Sequence, residues 1–165
     1  FIRIIMSAKI TSYFRTIRII HNSFLVGLIF FAATVFFLVR GGKFPPVGNG
    51  SLDRILQMAA LLVAGILLMI GFRLFRKKII VLHKSPDPAK KKLDQYRSAC
   101  INWWSMIEIP GIVAIICFLL TNNYAFFALA CFLIILLALF IPRADNIILL
   151  LKLNRDEVMK LEEGN

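Results

Sequence analysis

Four long apolar segments constrain the fold of this chain more than any other feature. They cover residues 19–39, 55–72, 99–120 and 124–141. A helix needs about 20 apolar residues to cross the hydrocarbon core of a bilayer, and each segment comes close to that length. None of them alternates apolar and polar residues, as strands of a membrane barrel would. The sequence therefore predicts an all-α fold, an integral membrane four-helix bundle.

The charged residues predict how these helices cross the membrane. The chain has 165 residues, of which 59% are hydrophobic, and a net charge of +11. Its Lys and Arg residues lie between the apolar segments, which is typical of membrane proteins and argues against nucleic-acid binding. Of the 20 cations, 17 belong to the N-terminal segment, the middle connection and the C-terminal tail. We therefore expect a multi-pass protein of the bacterial inner membrane with both termini cytoplasmic.

An internal similarity divides the chain into two units. Residues 13–40 align with residues 95–122 at an offset of 82, which pairs Arg15 with Arg97 and Phe36 with Phe118. This pattern predicts two tandem transmembrane hairpins, in which both copies point the same way. Chance similarity between apolar segments is the alternative. The first unit covers residues 1–93, with spans 19–39 and 55–72, and the second covers residues 94–165, with spans 99–120 and 124–141 followed by an amphipathic tail.

Each unit is predicted to end in a short amphipathic interfacial helix. After the second span, Asp87 and Pro88 have the pattern of an N-cap followed by proline at the first helical position. After the fourth span, Asn154 and Glu157 have the pattern of a capping box. Apolar residues before these caps would rest in the membrane surface, and the basic residues would contact anionic lipid headgroups; a basic patch for one protein partner is the alternative. The predicted headgroup contacts are Arg76, Lys77, Lys78, Lys90, Lys91 and Lys92.

Glu108 is the only acidic residue deep within an apolar segment. It lies about nine residues from Ala99, which is roughly 13 Å along a helix. A charged, unpaired carboxylate at that depth costs several kcal/mol, so it should be protonated, paired or facing a polar cavity. Pro110 follows closely and leaves the carbonyl of Met106 without its helical donor. The predicted intramembrane polar site consists of Glu108, Ser105, Pro110, His21, Asn22 and Ser23.

Three roles remain open for Glu108. It can be a neutral side chain within the bundle, a contact with a partner subunit, or a group that handles ions or protons. The sequence contains no phosphate-binding loop, no pair of metal ligands and no nucleophile with a base at a recognisable spacing. We therefore expect a protein that is not an enzyme and has no cofactor and no metal.

Two resemblances rest on the residues described above. The basic and aromatic entries YFRTIRIIH and QYRSACINWW, each followed by a hairpin, resemble small four-helix inner-membrane proteins of bacteria. That resemblance implies a fold and no activity. The architecture is also similar to the duplicated proteolipid of rotary ATPases, which keeps one membrane carboxylate. This chain lacks the dense glycine repeats of that family, and Glu108 lies on the first helix of its hairpin, not on the second.

These observations lead to three expectations about function. The first is an accessory, structural or assembly subunit of a larger inner-membrane complex, with protein partners in the membrane or self-association. The second is a homo-oligomeric ion or proton channel or carrier that uses Glu108. The third is a membrane enzyme that acts on lipids.

Overall fold

The computed structural model describes residues 8–42, 45–47, 50–142, 147, 150 and 151. They form four α-helices, which are α1 (Ala8–Arg40), α2 (Gly50–Lys84), α3 (Ala89–Thr121) and α4 (Tyr124–Leu139). No strand occurs among these residues. The prediction of an all-α fold with four helices is confirmed.

Three of the four helices are long and apolar enough to cross a membrane. The candidate spans are Tyr13–Arg40, Asp53–Lys84 and Ala89–Thr121. In contrast, α4 has 16 residues and is about 24 Å long, which is less than a hydrocarbon core of about 30 Å. The predicted fourth span is therefore a shorter helix. It cannot extend far beyond Leu139, because Pro142 disfavours helical backbone in the residue before it.

The helices continue past the apolar segments at their basic ends. The predicted interfacial helix after the second span is not a separate element, because α2 runs without a break from Gly50 to Lys84. Residues 73–84 contain neither Gly nor Pro, so nothing ends the helix before Ser85 and Pro86. Ile79, Ile80 and Leu82, which we expected to begin that interfacial segment, belong to the last turns of α2.

The turn between α2 and α3 also differs from the prediction. Pro88, not Asp87, is the N-cap residue of α3, with extended backbone and no capping side chain. The Asp87 carboxylate instead accepts a hydrogen bond of 2.8 Å from the Lys91 ammonium, one turn into α3. This hydrogen bond, followed by one with Ser85, lowers the pKa of Asp87. Asp87 thus fixes the first turn of α3 through a side chain that approaches from outside the helix.

A tight turn of two asparagines joins α3 to α4. Asn122 ends α3 in the left-handed region with φ 55, a conformation that Asn tolerates better than most residues. Asn123 then caps α4, because its side chain accepts a hydrogen bond from the amide of Ala125 at 3.0 Å. The two asparagines therefore reverse the chain within two residues and make α3 and α4 neighbours.

Helix α3 is the centre of the bundle. It packs against α2, α4 and α1, whereas α1 and α2 have few contacts with each other. Stacking of Phe75 on Trp103 and the groove shared by Lys78 and Ser98 show that α2 runs antiparallel to α3. Helix α1 runs parallel to α3, since its early residue Tyr13 donates a hydrogen bond to the Leu93 carbonyl and its later residue Leu28 contacts Gly111.

Two of the three described residues after Pro142 belong to the protein core, and the third, Leu150, is exposed. Ile147 and Leu151 are fully buried, in the same apolar cluster as Leu82 and Leu93. The ring of His83 lies 2.9 Å from the Leu150 carbonyl, and its Nδ1–H donates there. We expected Ile147 and Leu151 to rest in the membrane surface; they pack against the ends of α2 and α3 instead. The predicted capping box at Asn154 and Glu157 lies outside the described residues.

Two glycines let the neighbouring helices approach α3 closely. A Cβ at Gly71 would lie 2.9 Å from the Cβ of Met106 and 2.9 Å from the Trp103 ring, so α2 and α3 meet there almost backbone to backbone. A Cβ at Gly111 would lie 3.1 Å from the Leu28 side chain. Small residues at such contacts increase the packing between helices in lipid, where apolar burial gives no advantage.

We predict that Gly71→Ala destabilises the bundle although alanine favours helices. The new methyl group would overlap the Met106 Cβ and the Trp103 ring. Overpacking of this kind costs about 1–3 kcal/mol, which exceeds a helix-propensity gain of about 1 kcal/mol. Thermal unfolding in detergent, followed by circular dichroism, should show a lower melting temperature.

Gly65→Ala is the matched control, since Gly65 lies in the same helix with nothing within 4 Å of its Cβ position. This substitution should leave the melting temperature unchanged or raise it slightly. Equal shifts for the two variants would contradict the close contact at Gly71.

Candidate intramembrane polar site

Glu108 lies at the edge of the contact between α3 and α1. It is half-buried, and it shares a helix face with Trp104, one turn before it, and Gly111, one turn after it. Both of these residues contact α1, Trp104 through the His21 ring at 4.9 Å and Gly111 through Leu28. The carboxyl group therefore has α1 on one side and the outer surface of the bundle on the other.

The Glu108 carboxyl group has no internal partner in the described part of the chain. The ion pairs there join Lys91 to Asp87 and Arg97 to Asp94, and no hydrogen bond involves Glu108. A charged carboxylate without a partner is costly at this depth in a bilayer. The group is therefore either neutral or partnered by something outside these residues.

Ser105 and Pro110 lie near Glu108 along α3 but make different contacts. Ser105 lines a groove between α2 and α3, and Glu108 does not. Pro110 is buried within α3. Because proline has no amide hydrogen, the Met106 carbonyl loses its helical partner, and this happens at the turn where Gly71 comes closest.

His21 belongs to the core of the bundle. Its side chain is fully buried, and its Nε2 lies 3.0 Å from the Leu137 carbonyl, to which the Nε2–H donates. Its ring also makes an edge contact with Trp104. His21 therefore joins α1, α3 and α4, while its Nδ1 is buried without a hydrogen-bond partner among the described atoms.

The other two predicted residues of α1 lie on its outer surface. Asn22 is exposed, and so is Ser23, whose hydroxyl donates to the Ile19 carbonyl at 2.9 Å. The structure thus brings His21 to the turn before Glu108, but it joins none of His21, Asn22 and Ser23 to the carboxyl group by a hydrogen bond.

The predicted headgroup residues occupy four environments. Arg76 and Lys77 are exposed without further contacts of interest, and Lys90 and Lys91 line a shallow depression at the start of α3. Lys78 lines the groove between α2 and α3. Lys92 is only 6% exposed, so it is the one member of the set that does not face the surroundings.

Sequence reasoning missed the groove and the residues that form it. Small residues such as Gly27 and Gly65 are typical of close helix contacts in membranes, yet nothing lies within 4 Å of a Cβ at either position. Gly71 makes that contact, and it is opposite Trp103, whose bulk creates the wall of the groove. The sequence contains both the small residue, Gly71, and the large one, Trp103. That they face each other follows only from the register of α2 against α3.

The described residues contain no group of three or more His, Cys, Asp or Glu side chains that could hold a metal ion. The thiols of Cys100, Cys117 and Cys131 are free.

These features define a class of protein. The described residues are all helical, with three helices long and apolar enough to cross a membrane, which is compatible with a multi-pass membrane protein. The Glu108 carboxyl group lies within the third of these helices and has no partner in the described part of the chain. Comparisons with models of protein families, with curated proteins and with solved structures gave no match.

We predict that His21→Leu destabilises the bundle. Leucine has a similar volume, so the change removes the hydrogen bond to Leu137 and the contact with the Trp104 ring without opening a large cavity. Together, the two losses should lower the free energy of unfolding by about 1–3 kcal/mol. Unfolding by a denaturing detergent, monitored by tryptophan fluorescence, should show the loss of stability.

Asn22→Leu is the control, because Asn22 is the neighbouring exposed residue of α1. Asn22→Leu should change the free energy of unfolding by less than about 0.5 kcal/mol, as is usual for surface substitutions. If His21→Leu had no larger effect than Asn22→Leu, the three-helix role of His21 would be wrong.

Proposed function

We propose that this chain is a non-enzymatic polytopic membrane protein that acts as an accessory, structural or assembly subunit of a larger inner-membrane complex. One observation carries the proposal. The Glu108 carboxyl group is half-buried at the edge of the α1–α3 contact and has no partner within the described chain. A neighbouring membrane protein that supplies a hydrogen-bond donor or a cation would satisfy it.

The surface around Glu108 supports a protein contact. On α3, the next exposed position is Ile109, which is 50% exposed, and Val26 of α1 is 62% exposed. In lipid these apolar side chains contribute little to association by themselves. A polar group among them therefore gives a partner helix most of its specificity, because a polar atom left unpaired in the hydrocarbon region is costly.

The packing of α1 on α3 supports the proposed origin of the fold in two tandem hairpins, residues 1–93 and 94–165. Tyr13 contacts Leu93, His21 contacts Trp104, and Leu28 contacts Gly111. These pairs are 80, 83 and 83 residues apart, close to the offset of 82 between the two similar segments. Parallel repeats related by an axis along the membrane normal would place equivalent residues together in this way.

The helix directions also support the proposed orientation. Because α1 and α3 are parallel and α2 is antiparallel to them, the start of α1, the end of α2 and the start of α3 lie at the same end of the bundle. Their exposed cations include Arg15, Arg18, Lys77, Lys90 and Lys91. A cytoplasmic location for this end, and for both termini, follows from the positive-inside rule.

The second candidate is a homo-oligomeric ion or proton channel or carrier. The observation in its favour is that Pro110 frees the Met106 carbonyl, so α3 carries a free backbone oxygen and a carboxyl group at nearly the same depth, although on opposite faces of the helix. Self-association would bring several such groups together. No observation among the described residues favours the third candidate, a lipid-directed enzyme.

Site-specific crosslinking in native membranes tests the main proposal. A photoreactive residue at Ile112, one turn after Glu108, should give a discrete adduct with a second protein. Glu108→Gln should retain this adduct, since the amide still forms hydrogen bonds. Glu108→Leu should reduce it at least tenfold, because loss of a charge-assisted or buried hydrogen bond corresponds to about 1.5–3 kcal/mol.

A photoreactive residue at Leu62, which is 66% exposed on α2, is the matched control and should give lipid adducts only. The proposal fails if Ile112 also gives only lipid adducts, or if Glu108→Leu leaves the protein adduct unchanged. An adduct with a second copy of the chain would favour the homo-oligomeric candidate.

Vesicle flux measurements test that second candidate directly. If Glu108 lines an ion or proton pathway, Glu108→Gln should reduce the flux through the reconstituted protein at least tenfold. Equal flux through the original chain and the variant would remove this candidate.

A further inference from the structure

We propose that the groove between α2 and α3 is a binding site for one anionic phospholipid, with Lys78 at the headgroup end. This inference is independent of the proposed function, since it concerns a different face of α3 and needs no protein partner.

The groove exists because Gly71 brings α2 against α3 at one point while larger side chains separate the helices beyond it. It has a volume of about 500 Å³. Gly71 and Met106 line the end of the groove where the helices touch, and Lys78 and Ser98 line the other end. From Gly71 to Lys78 the groove follows α2 for about 10 Å, which is enough for a headgroup and the first part of an acyl chain.

The lining changes from charged to apolar along this length. Lys78 and Ser98 offer an ammonium group and a hydroxyl group, and Asn102 adds an amide one turn further along α3. Leu74, Phe75 and Met106 then provide apolar walls, with the Ser105 hydroxyl beside Met106 at the deeper end. A phospholipid has the same order of chemistry, because its phosphate carries oxygen acceptors and its acyl chains are hydrocarbon.

The groove also lies at the right depth for a phospholipid. The apolar segment of α2 ends at residue 72 and that of α3 begins at residue 99, so Lys78 and Ser98 lie on the polar side of the boundary. Gly71 and Met106 lie on the apolar side. A lipid with its phosphate beside Lys78 would therefore keep its normal position across the interface.

Charge complementarity favours an anionic headgroup over a zwitterionic one. The nearby acids Asp87 and Asp94 are paired with Lys91 at 2.8 Å and with Arg97 at 3.5 Å. No described carboxylate pairs with Lys78, and Arg76 and Lys77 are exposed beside it. The net positive field at this end attracts anionic lipid, and a cation in direct reach of the phosphate, as Lys78 is, strengthens binding roughly fivefold.

Tryptophan quenching by brominated lipids tests the proposal, because Trp103 lines the groove and the other tryptophan, Trp104, faces α1. In a Trp104→Phe background, Trp103 is the only tryptophan and reports on the groove. The full chain would be reconstituted into phosphatidylcholine vesicles that contain increasing fractions of brominated phosphatidylglycerol or, in parallel, brominated phosphatidylcholine. Brominated phosphatidylglycerol should reach half-maximal quenching at a roughly fivefold lower fraction.

Lys78→Gln and Lys77→Gln form a matched pair, since both remove one positive charge from adjacent residues but only Lys78 lines the groove. Lys78→Gln should abolish most of the preference for phosphatidylglycerol, whereas Lys77→Gln should change it less than twofold. Native mass spectrometry of the chain with both tryptophans present should show the same ranking of retained phosphatidylglycerol, which keeps the test valid if the Trp104→Phe background unfolds.

Three results would overturn the inference. Equal quenching by the two brominated lipids would remove the preference for negative charge. Equal effects of Lys77→Gln and Lys78→Gln would show general surface attraction in place of a site. Loss of the preference on adding inorganic phosphate at constant ionic strength would identify a site for a free anion and not for a lipid.

Discussion

The close approach of α3 to its neighbours is the constraint on which the rest of the structure depends. Helices in lipid gain little from burying apolar side chains, so their association relies on dense packing and on hydrogen bonds between them. Gly71 provides the packing towards α2, and Gly111 provides it towards α1. His21 adds a hydrogen bond from α1 to the Leu137 carbonyl of α4. These three contacts hold three helices around α3.

Two titratable residues in the membrane-spanning part of this packing, His21 and Glu108, differ in whether they have a hydrogen-bond partner. His21 is fully enclosed and has a carbonyl partner on another helix, so its polarity stabilises the bundle from within. Glu108 lies one turn further along the α1–α3 contact and has no such partner in the described chain. The same helix pair therefore combines a side chain that donates a hydrogen bond within the fold with a carboxyl group that has no partner among the described residues.

The sequence was sufficient to predict the helical class and the approximate position of all four helices, because apolar length and the absence of alternation are local properties. The gap of three residues between the third and fourth apolar segments also located the turn that contains Asn122 and Asn123. It did not predict that α2 continues to Lys84, since the boundary of the apolar segment is set by the membrane while the end of the helix is set by Ser85 and Pro86. The site was only partly predictable for a related reason. Its residues lie on different helices, and the rotation of α1 that buries His21 and exposes Asn22 depends on packing against Trp104, which no local pattern encodes.

The burial of Ile147 and Leu151 has a consequence for the order in which the molecule is built. These residues complete an apolar cluster that already contains Phe14 and Ile17 from the start of α1 and Leu82 from the end of α2. A ribosome makes them after all four helices, so the basic end of the bundle stays open throughout synthesis. Contacts between such distant parts of a chain form slowly because a long loop must close first. During that interval the newly inserted helices expose apolar surface at this end. A chaperone of membrane insertion would be able to bind this surface until the C-terminal residues cover it.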